Sequence, residues 1–241
     1  MGTAKTNHTG GNLMELLEKI PYELDDKTLF KKLRAPEGNK QRQLIQEAAE
    51  KARAVMQPKA VYKAAYVYKK EDNTVKVDDV VFKSRVLRVN LEDVGRIFPY
   101  VVTCGKEFDQ LSASCTDFMQ KYYLDEIANI SLTSIQAYLI NHLEEKYSLG
   151  TTSRMNPGSL GDWPIEQQQQ LFSLLGQVQV KEIIGVGLSP TFLMVPVKSV
   201  SGIIFPTEKN FKSCQLCPRD DCPSRKAKYN EELLKSYYPN S

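Results

Sequence analysis

Apolar side chains at positions 13, 16, 17 and 20 have the spacing of one face of an α-helix. Asp26 is placed to cap a second, short helix, and a third helix is predicted over residues 40–56. The pattern therefore predicts that residues 12–57 form two or three helices. The polar segment 1–11 lacks such a pattern and is expected to be disordered.

After Pro58 the hydrophobic period shortens. Small and β-branched residues interleave with tyrosines over residues 61–68, and a turn-forming E-D-N sequence at 71–73 separates them from T-V-K-V at 74–77. This arrangement is typical of a β-hairpin. Further elements are predicted in the order strand, short helix and strand: residues 85–89, 91–97 and 99–103.

The second half of the chain carries a long helical pattern over residues 108–147, broken near Thr116. From Leu124 to Leu143 apolar residues follow one another at steps of four and three, which predicts a central and largely buried helix. A loop punctuated by Gly and Pro follows at 151–163. After it the pattern predicts a short helix and two strands: residues 165–175, 178–184 and 196–205.

Strands and helices are mixed without the regular βαβ repeat of a parallel sheet. The sequence therefore predicts an α+β fold with a largely antiparallel sheet. Residues 1–57 are expected to form an N-terminal tail and helices that pack on the core, residues 58–205 the α+β core, and residues 206–241 a Cys-rich C-terminal extension.

Composition narrows the function classes. The chain is 41% hydrophobic and 25% charged, which is typical of a globular protein with a substantial core. Its longest apolar run, near residues 192–197, is far shorter than the roughly 20 residues of a transmembrane helix. A net charge of +3 argues against an extended nucleic-acid-binding surface. Because the polar N-terminus also lacks a secretory signal, a soluble, cytoplasmic protein without nucleic-acid or membrane partners is expected.

Hydrolase and nucleotide-binding motifs are missing from the sequence. It contains no G-x-S-x-G, H-E-x-x-H, P-loop or complete G-x-G-x-x-G pattern. The two histidines, His8 and His142, are too few for a multi-histidine metal site.

The cysteines suggest a metal site near the C-terminus. Cys214, Cys217 and Cys222 form a C-x2-C-x4-C pattern, whose two-residue gap lets one turn present two sulfurs to Zn²⁺ or to an iron–sulfur cluster. An all-cysteine site needs a fourth ligand, for which Cys104 is the first candidate and Cys115 the second. Free thiols on a C-terminal tail are the alternative.

The loop after the long helix is the best candidate for a ligand site. Residues 154–158 read R-M-N-P-G, which places a guanidinium beside a stiff turn whose glycine lets a ligand approach the backbone. Alone, this pattern also describes a structural turn. It is followed by L-L-G at 174–176 and by S-V-S-G at 199–202, inside the apolar segment 194–205.

These segments, in this order, resemble the activation domain of cobalamin-dependent methionine synthase, which has an R-x-x-P-G-Y-P loop, a helix with a Leu-Leu end and a P-x-x-S-V-S-G-x-x-F strand. The resemblance covers residues 151–205 and does not extend over the tail after Phe211. It implies an α+β domain with a twisted antiparallel sheet flanked by helices. It also implies that S-adenosylmethionine binds in a shallow groove and presents its methyl group to a corrinoid on another domain.

The resemblance also assigns roles to residues. Arg154 would hold the methionine part of the ligand, since a guanidinium suits an α-carboxylate. The implied binding residues of the loop and strand are Arg154, Asn156, Pro157, Gly158, Ser199, Val200, Ser201 and Gly202. Ser159 replaces the family's loop aromatic, a position that Trp163 could fill, and Phe211 stands for a downstream tyrosine. The family's acidic residue on the long helix has no counterpart in residues 130–136.

The expected function follows from this resemblance. The chain would be a free-standing activation protein that binds S-adenosylmethionine and supports reductive methylation of a corrinoid, with little turnover alone. Because neither histidine lies in a D-x-H-x-x-G motif, cobalamin is expected to come with a corrinoid-binding protein or methyltransferase domain, and an electron donor is a further partner. A module that senses S-adenosylmethionine and a metal-dependent (Fe–S or Zn) redox accessory protein are the alternatives.

Overall fold

A computed structural model describes residues 4–6, 13–38, 40–222 and 224–238. The strands are β1 Ala4–Thr6, β2 Glu15–Glu18, β3 Lys59–Tyr62, β4 Ala65–Glu71, β5 Thr74–Val77, β6 Val80–Lys83, β7 Arg96–Thr103, β8 Thr152–Met155, β9 Gly187–Leu188, β10 Met194–Val195 and β11 Ser199–Pro206. The helices are α1 Asp26–Lys32, α2 Lys40–Val55, α3 Arg85–Asn90, α4 Lys106–Ser114, α5 Phe118–Tyr147, α6 Gln168–Leu175, α7 Gln177–Ile184 and α8 Glu231–Tyr237. Short 3₁₀ turns span Ile165–Gln167 and Ser213–Leu216.

The sheet is organised around β7. This strand pairs with β3 and β4 and, over six register positions, with β11; β11 pairs on its other side with β8. The strand order runs β1-β2-β3-β7-β4-β5-β6, and each of these pairings is antiparallel. The predicted α+β fold with an antiparallel sheet is therefore confirmed.

Helices cover both faces of the sheet at β7. Phe98, Tyr100 and Val102 face one core with α5, whereas Val101 belongs to another core with α6 and α7. Along α5 the predicted apolar steps are confirmed, because this series of residues is buried: Leu124, Ala128, Leu132, Ile135, Leu139 and Leu143. The helices predicted over 40–56 and 165–175 and the break near Thr116 are also confirmed.

Residues 13–20 contain a strand, so the prediction of a helix there was wrong. β2 pairs with β3, with Leu17 opposite Ala60. Leu16 and Leu17 are adjacent and both buried, in cores on opposite faces. Because both faces are covered, the alternation that marks a half-buried strand is lost. β1 lies in the segment expected to be disordered and pairs with β2; the rest of that segment lies outside the described residues.

The strand predicted over 85–89 is the helix α3, and the helix predicted over 91–97 does not form. Ser84 is the N-cap of α3, and the carboxylate of Asp162 accepts the backbone N–H of Val86 at 3.0 Å. Asp162 lies in a distant loop, so its contribution to the start of the helix is not visible in the local sequence. The β-branched residues there suggested a strand instead.

The strand predicted over 178–184 is the helix α7. Gly176, at φ 92°, lets α6 end and α7 begin in immediate succession. Val180 and Ile184 are four residues apart and both buried, so the apolar residues of this segment have a helical period that the β-branched composition obscured.

The C-terminal segment packs on the core. The Tyr237 hydroxyl donates to Asn90 Oδ1 at 3.1 Å, and Arg85 Nε donates to the Tyr237 carbonyl oxygen at 2.7 Å, which attaches α8 to α3. The domain boundaries at 57 and 205 stay predictions. None of the helices in the described part of the chain has the length and apolar character needed to cross a membrane.

A half-buried polar cluster joins β2, β3 and the end of α5. Glu15 accepts hydrogen bonds from the hydroxyls of Tyr62 and Tyr147, each at 3.0 Å, and pairs with Lys146. The Tyr62 hydroxyl also lies 2.8 Å from Nε2 of His142. Burial alone would raise the pKa of Glu15, but the bonds from Lys146, Tyr147 and Tyr62 outweigh it and hold the pKa below its usual 4.5.

We expect Glu15→Gln to lower the free energy of unfolding by about 1–3 kcal/mol at neutral pH, because hydrogen bonds to a charged group are lost. A carboxylate with a lowered pKa stabilises the fold above its unfolded pKa near 4.5, and this contribution disappears as the pH falls through the folded value. Denaturant unfolding of wild type and variant at pH 7 and pH 3.5 should therefore give a difference that shrinks in acid. Exposed Glu47→Gln is the control; a Glu15 effect equal at both pH values would contradict the account.

Candidate ligand groove

A groove of about 390 Å³ lies where β8 ends, between α5 and the segment after β11, which we call the tail (207–222 and 224–238). Its lining residues come from β8 and its loop, α5, β11 and the tail. They include Gln136, Arg154, Asn156, Val200, Phe211, Lys212 and Lys226, together with Cys214, Cys217 and Cys222. The groove thus joins the predicted ligand loop to the predicted metal segment.

Antiparallel pairing positions Arg154. It stands opposite Ile204 of β11, and Asn156 follows two residues later, so both side chains project from the face that packs on α5. The Arg154 guanidinium is half-buried and forms no ion pair with a described residue. Its charge nevertheless reaches the floor of the groove: burial raises the pKa of Tyr100, and Arg154 opposes that rise. An unneutralised guanidinium in a groove is suited to an anionic group.

The floor of the groove is a hydrogen-bonded unit around Tyr100. Its hydroxyl accepts from Gln136 Nε2 at 3.1 Å and from Asn156 Nδ2 at 3.0 Å. Asn156 Nδ2 also donates to the Ser201 carbonyl oxygen. A Cβ on Gly202 would lie 2.5 Å from the carbonyl oxygen of Met155 and closer still to Asn156, so this close approach requires glycine.

The loop after Arg154 is a tight turn, as predicted for Pro157 and Gly158. Gly158 has φ 82° and donates its N–H to the Trp163 carbonyl oxygen at 2.7 Å. A Cβ at this glycine would meet Ile165 Cδ1 at 2.9 Å. The turn is therefore fixed by its packing against the start of the following helix.

Trp163 does not face the groove, which corrects its proposed place as the loop aromatic. Its side chain is 1% exposed and packs edge-on against Phe82, with ring centroids 5.9 Å apart. The turn directs the ring beneath the loop, where it fills the core that contains Met155 and Phe205. Trp163 therefore stabilises the loop from the core.

Successive side chains of β11 point to opposite faces of the sheet, so its four predicted site residues fall into two pairs. Ser199 lies 2.9 Å from Thr103 Oγ1, and the Ser201 hydroxyl donates to Gln168 Oε1 at 2.7 Å; both serines are buried, away from the groove. Val200 lines the groove, and the Asn156 side chain packs directly against the backbone of Gly202. The two serine side chains therefore hold the sheet and α6 together, and a role of residues 199–202 in ligand binding stays a prediction.

The tail wall is held by contacts that the sequence did not reveal. The Arg225 guanidinium donates to the carbonyl oxygens of Cys214, Cys217 and Ala227, at 3.0–3.2 Å, and also to that of Arg219. Five donors on one planar group can gather several carbonyls that would otherwise lack partners. Phe211, buried against Tyr237 at a centroid distance of 5.9 Å, attaches this wall to α8.

The described residues contain no group of three or more His, Cys, Asp or Glu arranged to hold a metal ion, so the metal prediction has no support. Cys104 is fully buried between β7 and α5, and burial raises the pKa of its thiol to about 12. This core position, away from the three tail cysteines, corrects its candidacy as fourth ligand. Cys115 lies at the break between α4 and α5, and its thiol donates a hydrogen bond to Gln120 Oε1 at 3.3 Å. All five cysteines are unpaired.

The groove is positively charged. Burial lowers the pKa of Lys226, and Arg154 and Lys212 lower it further, while Cys214 opposes them. These cations therefore lie close enough to interact. No carboxylate occurs among the described residues that line the groove, and Gln136 is its lining residue from α5. Sequence reasoning missed both lysines because nothing local places the tail beside β8.

Comparison with known proteins gives a structural likeness and no sequence match. No protein family and no curated protein matches the sequence. Among solved structures, the chain is similar to the crystal structure of the MetH reactivation domain bound to AdoHcy, with a TM-score of 0.55 and 15% identity over 83% of this chain and 81% of that chain. At this identity the likeness shows a shared fold, and it extends well beyond residues 151–205.

We expect Gly202→Ala to destabilise the protein by about 1–3 kcal/mol, because the added methyl group must displace Asn156 or the β8 backbone. The measurement is denaturant unfolding, with Gly161→Ala as the control. Gly161 lies on the loop after β8, and a methyl group added there would meet no atom within 4 Å beyond its chain neighbours, so its variant should stay within about 0.5 kcal/mol of wild type. Equal stability of the two variants would show that the close approach is not required.

Proposed function

We propose that this chain binds S-adenosylmethionine and S-adenosylhomocysteine in the groove beside β8 and supports reductive methylation of a corrinoid carried by a partner methyltransferase. The observation that carries the proposal is the unpaired Arg154 above the Tyr100–Asn156–Gly202 floor. It occurs in a chain that shares its fold with a reactivation domain bound to AdoHcy.

The groove has the chemistry that such a ligand needs. Its volume of about 390 Å³ lies within the roughly 300–1,000 Å³ typical of small-molecule sites. Arg154 would bind the α-carboxylate of the amino-acid end through two parallel hydrogen bonds. Val200 and the ring of Phe211 supply apolar surface for the remainder of the ligand. The ligand therefore has one charged anchor and an apolar wall.

The charge of the groove also bears on the direction of methyl transfer. S-adenosylmethionine carries a positive sulfonium, and its product is a neutral thioether. The groove has basic side chains and, among its described lining residues, no carboxylate to stabilise that sulfonium. It therefore favours the product over the substrate, so charge repulsion is relieved as the methyl group leaves. The partner's corrinoid supplies the cobalt that accepts the methyl group.

The binding step is tested with Arg154→Ala. Loss of the charge-assisted anchor should weaken S-adenosylhomocysteine binding, measured by calorimetry, by about 10- to 100-fold. Arg154→Lys should bind with intermediate affinity, because an ammonium keeps the charge and loses the planar fork. Exposed Arg219→Ala, on the tail and outside the groove lining, is the control and should bind like wild type. Equal binding by wild type and Arg154→Ala, or binding by neither, would overturn the groove assignment.

The same variants separate activation from ligand sensing. With a corrinoid methyltransferase, S-adenosylmethionine and an electron donor, wild type and Arg219→Ala should accelerate formation of the methylated corrinoid, whereas Arg154→Ala should not. Binding without acceleration would favour a sensing module. Bound iron or zinc in anaerobically purified protein would instead indicate a redox accessory role, for which the described residues offer no metal-binding group.

A further inference from the structure

A second cavity adjoins the ligand groove through a shared wall. Its volume is about 630 Å³, and it extends from Arg154 along β8 toward the end of α5. Four residues line both cavities: Arg154, Phe211, Lys212 and Lys226. The two lysines therefore stand at the junction of the two cavities, beside the proposed carboxylate anchor.

The basic side chains at this junction lack neutralising partners. Neither Lys212 nor Lys226 forms an ion pair with a described residue, and the same is true of Arg154. Among the described residues that line the second cavity, Glu144 alone has a carboxylate. One of its oxygens accepts a hydrogen bond from the Thr152 hydroxyl at 2.8 Å. Three cations therefore face one carboxylate across this cavity, and although Lys212 and Lys226 are exposed and partly screened by water, the excess positive charge is unfavourable in the free protein. A bound anion would relieve that cost.

We propose that Lys212 and Lys226 form an anion subsite, next to Arg154 and open to the second cavity, that takes the phosphate group of a small ligand. One carboxylate on Arg154 would leave both lysines without an ion-pair partner. A phosphate group carries about −1.5 to −2 charges at neutral pH and has three acceptor oxygens, so it matches two ammonium groups better than a second carboxylate does. The subsite goes beyond the proposed function, because it needs no adenosyl ligand.

The test is calorimetry with inorganic phosphate and with a nucleoside diphosphate, at constant ionic strength and without S-adenosylhomocysteine. Wild type should bind at least one of them, and Lys212→Ala/Lys226→Ala should bind about tenfold more weakly or worse. Lys212→Arg/Lys226→Arg should retain binding. Exposed Lys228→Ala, on the same tail and outside both cavity linings, is the matched control and should bind like wild type. Tighter binding of the nucleotide would identify a nucleotide ligand, and tighter binding of phosphate the free anion.

Absence of binding by wild type, or equal binding by the double alanine variant, would overturn the proposal. If that variant does not fold, lysine acetylation of wild type followed by mass spectrometry serves instead. Phosphate should then protect Lys212 and Lys226 and leave Lys228 reactive, and equal reactivity with and without phosphate would overturn the subsite. Phosphate binding without S-adenosylhomocysteine binding would leave the subsite intact and reject the proposed function.

Discussion

The position of β11 between β7 and β8 is the constraint on which the groove depends. β11 aligns β8 with the central strand β7. Because Gly202 has no side chain, Asn156 and the β8 backbone can approach the β11 backbone closely. Asn156 then reaches the Tyr100 hydroxyl, which also accepts from Gln136 of α5. A side chain larger than hydrogen at position 202 would separate β8 from this floor and move Arg154 with it.

The tail forms the remaining wall of the groove. Arg225 gathers four carbonyl oxygens of the tail, and Phe211 and α8 attach that wall to the core beside α3. As a result, three thiols line the groove beside Arg154, and two lysines line both of the cavities that Arg154 lines. The predicted ligand loop and the cysteine segment therefore line one groove, although the sequence pattern suggested two separate sites. The positive charge of the groove follows from Arg154 and the tail's lysines, with no carboxylate among the described lining residues.

The sequence predicted the elements whose burial has a simple period. α5 and α2 are each covered along one stripe, so their patterns were informative; β7 is buried on both faces, and only its second half, residues 99–103, was predicted as a strand. β2 was missed because Leu16 and Leu17 pack into cores on opposite faces. α3 was missed because its β-branched residues suggested a strand, and part of the support for its first turn comes from Asp162 in a distant loop. In the site, Arg154 and its turn carry a local motif. Lys212, Lys226 and Gln136 join them only through tertiary packing, which no local pattern encodes.

The most direct test of this account is a crystal structure of the protein with S-adenosylhomocysteine. We expect the ligand in the groove between β8 and the tail, with its carboxylate on the Arg154 guanidinium and its apolar part against Val200 and Phe211. A ligand bound elsewhere on the chain, or in the groove with its carboxylate away from Arg154, would contradict the central claim.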